Sequence, residues 1–189
     1  MKYFTFLVFT KVLFSQNTEY ENFQKYVQSP NGSVFWIEYH QSYFDEDLVS
    51  SGVLYVKEKM YMYDNKAQCI IYEDGFITTI NKLNKQVVYD YINKKDVTIF
   101  DVLIGNNNSV RIDTSIIKNN QIHIPFSIEL WGIKGSIWTS QVDGSPKKIT
   151  FIQDEDIMVY IDIKSSVNSA ELNPPAYDIL DYEVINLIE

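Results

Sequence analysis

Arginine occurs once in this chain, at Arg111, cysteine once, at Cys69, and histidine twice, at His40 and His123. A lone cysteine closes no internal disulfide, and within the apolar run Cys69–Tyr72 it reads as a small buried hydrophobe rather than a reactive thiol. The two histidines lie far apart with no metal-ligand spacing around either, so structural or surface roles are expected and no metal site. A single guanidinium cannot supply an arginine clamp for phosphate or carboxylate. The net charge of −9 argues against nucleic acid as a partner, since a phosphate-binding surface needs clustered Lys and Arg. No Gly-rich phosphate loop, Cys-x-x-Cys pair or Gly-x-Ser-x-Gly elbow is present. Only Asp and Glu are plentiful as acid–base candidates, and none joins a nucleophile–base–orienter constellation. The chain is therefore expected not to be an enzyme and to carry no cofactor.

What is present is apolar and aromatic: 46% hydrophobic residues, 15% aromatic, with 14 tyrosines in 189 residues. That length suits one domain with an ample core. Tyrosine joins an apolar body to a polar tip and suits half-wet surfaces and pocket rims. Met1–Ser15 has a basic start and an apolar run of secretory length, too short to span a bilayer. It reads as a cleaved signal peptide, with a first core strand as the alternative because Lys11 interrupts the run, and leaves 16–189 as a single domain delivered across an inner membrane. Thr18-Glu19-Tyr20-Glu21 forms a capping box, and Tyr20, Phe23 and Val27 fall at helical spacing, which predicts an amphipathic helix over Thr18–Gln28.

The remainder reads mostly as strands. Ser33–Tyr43 alternates, and Asp45-Glu46-Asp47 reads as an acidic turn. From Ser51 to Asn93 the chain is an antiparallel meander: Ser51–Val56, Met60–Tyr63, Cys69–Tyr72, Phe76–Ile80 and Gln86–Tyr91. Asp74-Gly75 is its strongest hairpin signal, because a type I′ turn needs positive φ at both central residues. Val97–Ile104 fits a short apolar helix stopped by Gly105. Inserted in a β pattern, it either plugs the sheet or acts as a lid. Val110–Ile117, Gln121–Leu130, Gly135–Val142, Lys147–Gln153 and Asp156–Lys164 follow as strands, and an apolar tail from Ile179 to Ile188 is placed to pack on the sheet. The sum is about ten or eleven antiparallel strands with two helical pieces. The expected fold is mainly β: an incomplete, unclosed antiparallel barrel, or strongly curved sheet, with an N-terminal helix and a short helical lid.

Several segments in this order resemble the outer-membrane lipoprotein carrier (LolA) family. Phe35-Trp36-Ile37-Glu38-Tyr39-His40-Gln41 resembles its early strand, and Gly52-Val53-Leu54-Tyr55-Val56-Lys57 its Gly-x-Leu-x-Val-Lys strand. Ile70-Ile71-Tyr72-Glu73-Asp74-Gly75 with Gln86-Val87 resembles its hairpin and returning strand. Phe100-Asp101-Val102-Leu103-Ile104-Gly105 resembles its lid helix, and Leu172-Asn173-Pro174-Pro175 with Asp178-Ile179-Leu180-Asp181 its ending. Where the family commonly carries an Arg-Pro that latches the lid, this chain reads Glu58-Lys59, and lysine lacks the forked donor geometry.

The resemblance implies a monomeric periplasmic chaperone in lipoprotein transport. Its partners would be acylated lipoproteins, the inner-membrane lipoprotein-releasing ABC transporter and an outer-membrane receptor. Lining residues expected for the hollow, and so for lipid binding, are Phe35, Ile37, Leu54, Val56, Tyr61, Ile70 and Tyr72, with Phe100, Leu103 and Ile104 on the lid. The alternative is a module of the same shape that recognises an envelope protein or another apolar lipid cargo.

Overall fold

The computed structural model describes residues 18–43, 46–91, 102, 110–153, 157–168 and 174–188. The first element is helix α1 (Thr18–Val27), which turns Phe23 and Val27 into the core and carries Lys25 in its last turn, where a cation suits the helix dipole. Strands follow in order: β1 (Ser33–Tyr43), β2 (Glu46–Lys57), β3 (Met60–Asn65), β4 (Gln68–Glu73), β5 (Phe76–Asn81), β6 (Gln86–Tyr91), β7 (Val110–Ile112), β8 (Ile116–Lys118), β9 (Gln121–Ile128), β10 (Ile133–Ser140), β11 (Pro146–Gln153), β12 (Ile157–Asn168) and β13 (Glu183–Asn186).

These make one 13-stranded curved sheet in the order β13-β6-β5-β4-β3-β2-β1-β12-β11-β10-β9-β7, with β8 also on β9. Its two ends, β13 and β7, are not paired to each other, so the sheet is open. Neighbours in sequence are neighbours in the sheet through β1–β6 and β9–β12, as tight hairpins require. Asp74 and Gly75 have φ of 49° and 92°, the two positive values that a type I′ turn demands and that Asp-Gly accommodates.

Alternation along the strands builds two faces. The concave face carries Phe35, Ile37, Leu54, Val56, Tyr61, Tyr63, Ile122, Ile124, Phe126, Ile137, Ile149, Val159 and Ile161, closed over by Phe23 and Val27 of α1. Val102, helical and fully buried, joins the same cluster. The convex face carries a smaller cluster of Met62, Cys69, Ile80 and Val87, covered by Tyr177, Ile179 and Tyr182. Tyr177 and Lys82 pin that cover: the Tyr177 hydroxyl donates to Asp64 Oδ1, and Lys82 Nζ reaches the same oxygen and the Asn65 carbonyl at 2.5 Å each.

The structure differs from the sequence expectation at several strands; the one expected over Gln121–Leu130 ends at Ile128, and Glu129–Trp131 is a 3-10 turn stopped by Gly132 in the left-handed region. Residues 46–50 are strand: β1 and β2 pair in unbroken register from Ser33↔Val56 to Tyr43↔Glu46, because cross-strand pairing outweighs the turn preference of Asp and Glu. Residues 110–118 form two short strands on β9, interrupted at 113–115. The tail adds β13 in parallel to β6, a pairing the tail's apolarity did not specify. Register also slips between Trp36 and Ile37 on β12. That bulge brings Ser166 onto the inner face opposite Phe35. The expected signal segment 1–15 and the lid residues Phe100, Leu103 and Ile104 lie outside the described residues.

Candidate functional site

The concave face is packed at one end and hollow at the other. At the packed end α1 lies across it. The Tyr26 ring sits 6.4 Å from Phe35, its hydroxyl is 2.7 Å from Ser166 Oγ, and Ser33 Oγ donates to the Tyr26 carbonyl at 3.0 Å. Beneath the helix Phe35, Leu54, Val56 and Tyr61 are buried to 2% exposure or less. Tyr72 stacks on Tyr61 with centroids 4.8 Å apart and the rings 10° from parallel.

The hollow end follows from side-chain size. The inward positions of β2 run Leu48, Ser50, Gly52, Leu54, Val56, so the bulk that fills the packed end gives way at Ser50 and Gly52. Tyr63 lies over Gly52, its Cε2 2.6 Å from where a Cβ on that glycine would stand. Glycine here is a requirement of close approach. What remains is a pocket of about 480 Å³ lined by Ile37, Tyr39, Gln41, Leu48, Ser50, Tyr63, Asn65, Ala67, Gln68, Ile70 and Ile161. Ile161, 1% exposed, belongs to the packed core behind it, whereas Leu48, 57% exposed, stands towards solvent.

The pocket's polar groups are neutral and engage one another. Tyr39 donates to Gln41 Oε1 at 2.7 Å, Ser50 Oγ lies 3.2 Å from the Tyr63 hydroxyl, and Asn65 Nδ2 donates to Ser50 Oγ at 3.2 Å. Burial, and then the neighbouring Tyr63, push the Tyr39 phenol above its usual range, so it stays protonated at neutral pH. Two further hollows are bordered by charge. One of about 620 Å³ beside β9 and β10 includes Arg111, Asp113, Glu129 and Lys134. Another of about 390 Å³ between α1 and the β10–β11 turn includes Glu19, Lys25 and Asp143.

Among the described residues, one group has the composition of a metal site: Glu38, His40 and Asp162 on the convex face, with ligand atoms within 4.8 Å of one another. A cation already serves it. Lys164 Nζ lies 3.0 Å from Glu38 Oε1 and 4.0 Å from Asp162 Oδ2. The hydrogen bond from His40, then that from Lys164, holds the Glu38 carboxyl below its usual range.

Seven of the ten residues expected to line a hollow share this one face. Ile37 and Ile70 line the pocket, while Phe35, Leu54, Val56, Tyr61 and Tyr72 belong to the packed end. Tyr39, Gln41, Leu48, Ser50, Tyr63 and Ile161 were not singled out from sequence. The signal that could have found them is the pair of small residues, Ser50 and Gly52, interrupting large ones at inward positions of a strand. Lys59 stands exposed in the β2–β3 turn, beside Glu58 with a φ of 54°. The described residues contain no helix long and apolar enough to cross a membrane.

No protein-family model matches the sequence, and no curated protein does. Among solved structures, the chain is similar to an uncharacterized conserved protein from Thermus thermophilus, at 8% identity and a TM-score of 0.55 over 89% of this chain and 97% of that one. It is also similar to a LolA superfamily protein from Nitrosomonas europaea, at 9% identity and a TM-score of 0.46 over 82% and 94%. A DUF1329 family protein from Desulfovibrio piger gives 8% identity and a TM-score of 0.46 over the same shares. At these identities the likeness is one of fold, and the Thermus thermophilus structure shares its fold with this chain along nearly its whole length.

Proposed function

We propose that this protein is a periplasmic carrier that shields acyl chains of lipoproteins in the hollow end of its curved sheet between the inner and outer membranes. The observation that carries the reading is the pocket of about 480 Å³ whose wall includes Ile37, Leu48, Ile70 and Ile161, set in the curved sheet and left open among the described residues. Its size falls in the usual range for small-ligand pockets, ~300–1,000 Å³. Moving about ten methylenes from water into such a site is worth roughly 8 kcal/mol, before the costs of association and ordering. No bond is made or broken in this function, and the protein acts by binding alone. The sequence resemblance to the lipoprotein carriers supports the choice of cargo, and the apolar segment Met1–Ser15 supports delivery to the periplasm.

Non-denaturing mass spectrometry of the protein purified from its own periplasm without detergent tests the reading. A bound acylated polypeptide is the expected result. Ile70→Glu, which sets a charge in the pocket wall, is expected to stay folded and lose that cargo. A bare mass, together with failure to extract labelled lipoproteins from spheroplasts, would instead favour a partner-recognition module with the same shape. That reading has its own observation: Phe35, Leu54, Val56 and Tyr61 already fill the other end of the face.

A further inference from the structure

We infer that the pocket takes one acyl chain borne on an uncharged polar head, such as an ester, amide or alcohol, and rejects the free fatty-acid anion. The inference rests on the acyl-binding reading above and specifies which acyl compounds that site admits.

Size sets the number of chains. If a methylene fills about the ~30 Å³ that a water takes in the liquid, the roughly 480 Å³ of the pocket holds on the order of sixteen methylenes. That is one chain of ordinary length, not two or three. Charge sets the head. Among the described residues, only neutral side chains line the pocket: Ile37, Tyr39 and Gln41 from β1, Leu48 and Ser50 from β2, Tyr63 and Asn65 from β3. Ala67 in the turn, Gln68 and Ile70 from β4, and Ile161 from β12 complete it. Among the described side chains, the charged residues Glu38, His40, Asp64, Asp162 and Lys164 alternate to the opposite face, and both of the further hollows described above have charged walls. Asp47 and Lys66, of opposite sign, are exposed next to lining residues. A carboxylate drawn into this wall loses water and gains no cation, which disfavours the charged form. An ester or amide carbonyl meets suitable chemistry instead, because the carboxamides of Gln41, Asn65 and Gln68 and the hydroxyl of Ser50 donate and accept without charge.

The test uses the full chain and displacement of Nile red, an uncharged probe, by 1-monopalmitoylglycerol and by palmitic acid, both below their aggregation thresholds. A carboxyl with an ordinary pKa near 4.3 is neutral in only about one molecule in 500 at pH 7. Palmitic acid is therefore expected to bind hundreds of times more weakly than the monoglyceride at pH 7, and to gain about tenfold for each unit the pH falls towards 5.5. The monoglyceride should bind with one equivalent per chain and no such slope. Gln41→Lys places a cation in the wall and is expected to narrow the gap at pH 7 at least tenfold. Gln68→Lys serves the same purpose if the first variant does not fold. Equal affinities for the two ligands at pH 7 in the unmodified protein would overturn the head-group selectivity while leaving acyl binding in place. Two or more equivalents of monoglyceride per chain would overturn the single-chain assignment. Binding of neither ligand would remove the acyl-binding reading and this inference with it.

Discussion

Gly52→Ala adds one methyl group at the place where the hollow is made. A Cβ there would stand 2.5 Å from the Asp64 carbonyl oxygen and 2.6 and 2.9 Å from Cε2 and Cζ of Tyr63. The oxygen belongs to the backbone of β3, which is paired on both sides, so the relief must come from the ring and from strand separation. Overpacking of this kind costs about 1–3 kcal/mol. Alanine returns about 0.5–1 kcal/mol through the smaller entropy its unfolded chain loses. The expected net is a loss of about 1–2 kcal/mol, which in a chain of this size lowers Tm by roughly 2–8 °C. Urea unfolding followed by tryptophan fluorescence reads it as a lower midpoint at unchanged slope. The displaced Tyr63 ring also forms the pocket wall and faces Ser50, so acyl binding should weaken in the same variant. Gly132→Ala is the control. Nothing lies within 4 Å of its added methyl, its φ of 63° costs about 1 kcal/mol, and the pocket should not respond. A Gly52→Ala protein as stable as the original, with binding intact, would refute the claim that Tyr63 closing over Gly52 shapes the site.

Three further outcomes follow from the packing. Phe23→Ala, at a ring with no exposure, should cost about 3–5 kcal/mol in denaturant unfolding, and an unchanged midpoint would mean α1 is not part of the core. Burial pushes the Cys69 thiol up to about 12, with Asp64 adding to the rise, so the native protein should resist a disulfide reagent at pH 8 that reacts at once after unfolding. Rapid native labelling would contradict the burial. The Tyr177 pKa is raised by burial and by its bond to Asp64, and the Lys82 pKa is raised because hydrogen bonds to Asp64 and Tyr177 outweigh desolvation. Both groups hold their protons more tightly when folded, so their stabilisation is complete below about pH 10 and is lost as pH rises through the higher folded values. A melting series from pH 8 to 11.5 should show that loss in the original protein and a smaller one in Tyr177→Phe. Parallel curves would contradict the clamp.

How much of this was legible in the sequence depends on what fixes each feature. Period-two alternation fixes a face, so Phe35, Ile37, Leu54, Val56, Tyr61, Ile70 and Tyr72 could be assigned together and do meet on one side of the sheet. Asp74-Gly75 announced its turn because backbone sterics fix it locally. The position of the hollow along that face was not legible from alternation, since it depends on which side chains leave room, and Ser50 and Gly52 decide that only once β3 lays Tyr63 beside them. The strand character of residues 46–50 and the parallel seating of β13 are tertiary outcomes. Each is set by a partner strand that a local reading of acidic or apolar residues does not contain.

The most direct test of the central claim is photocrosslinking of the intact protein with a palmitoyl glyceride carrying a diazirine near the chain end, the adducts being mapped by peptide mass spectrometry. One adduct per chain is expected, confined to peptides bearing Ile37, Tyr63, Ile70 and Ile161, and competed away by unlabelled monoglyceride. Adducts spread over exposed apolar residues such as Val142 and Leu180, or adducts that competition does not reduce, would contradict it.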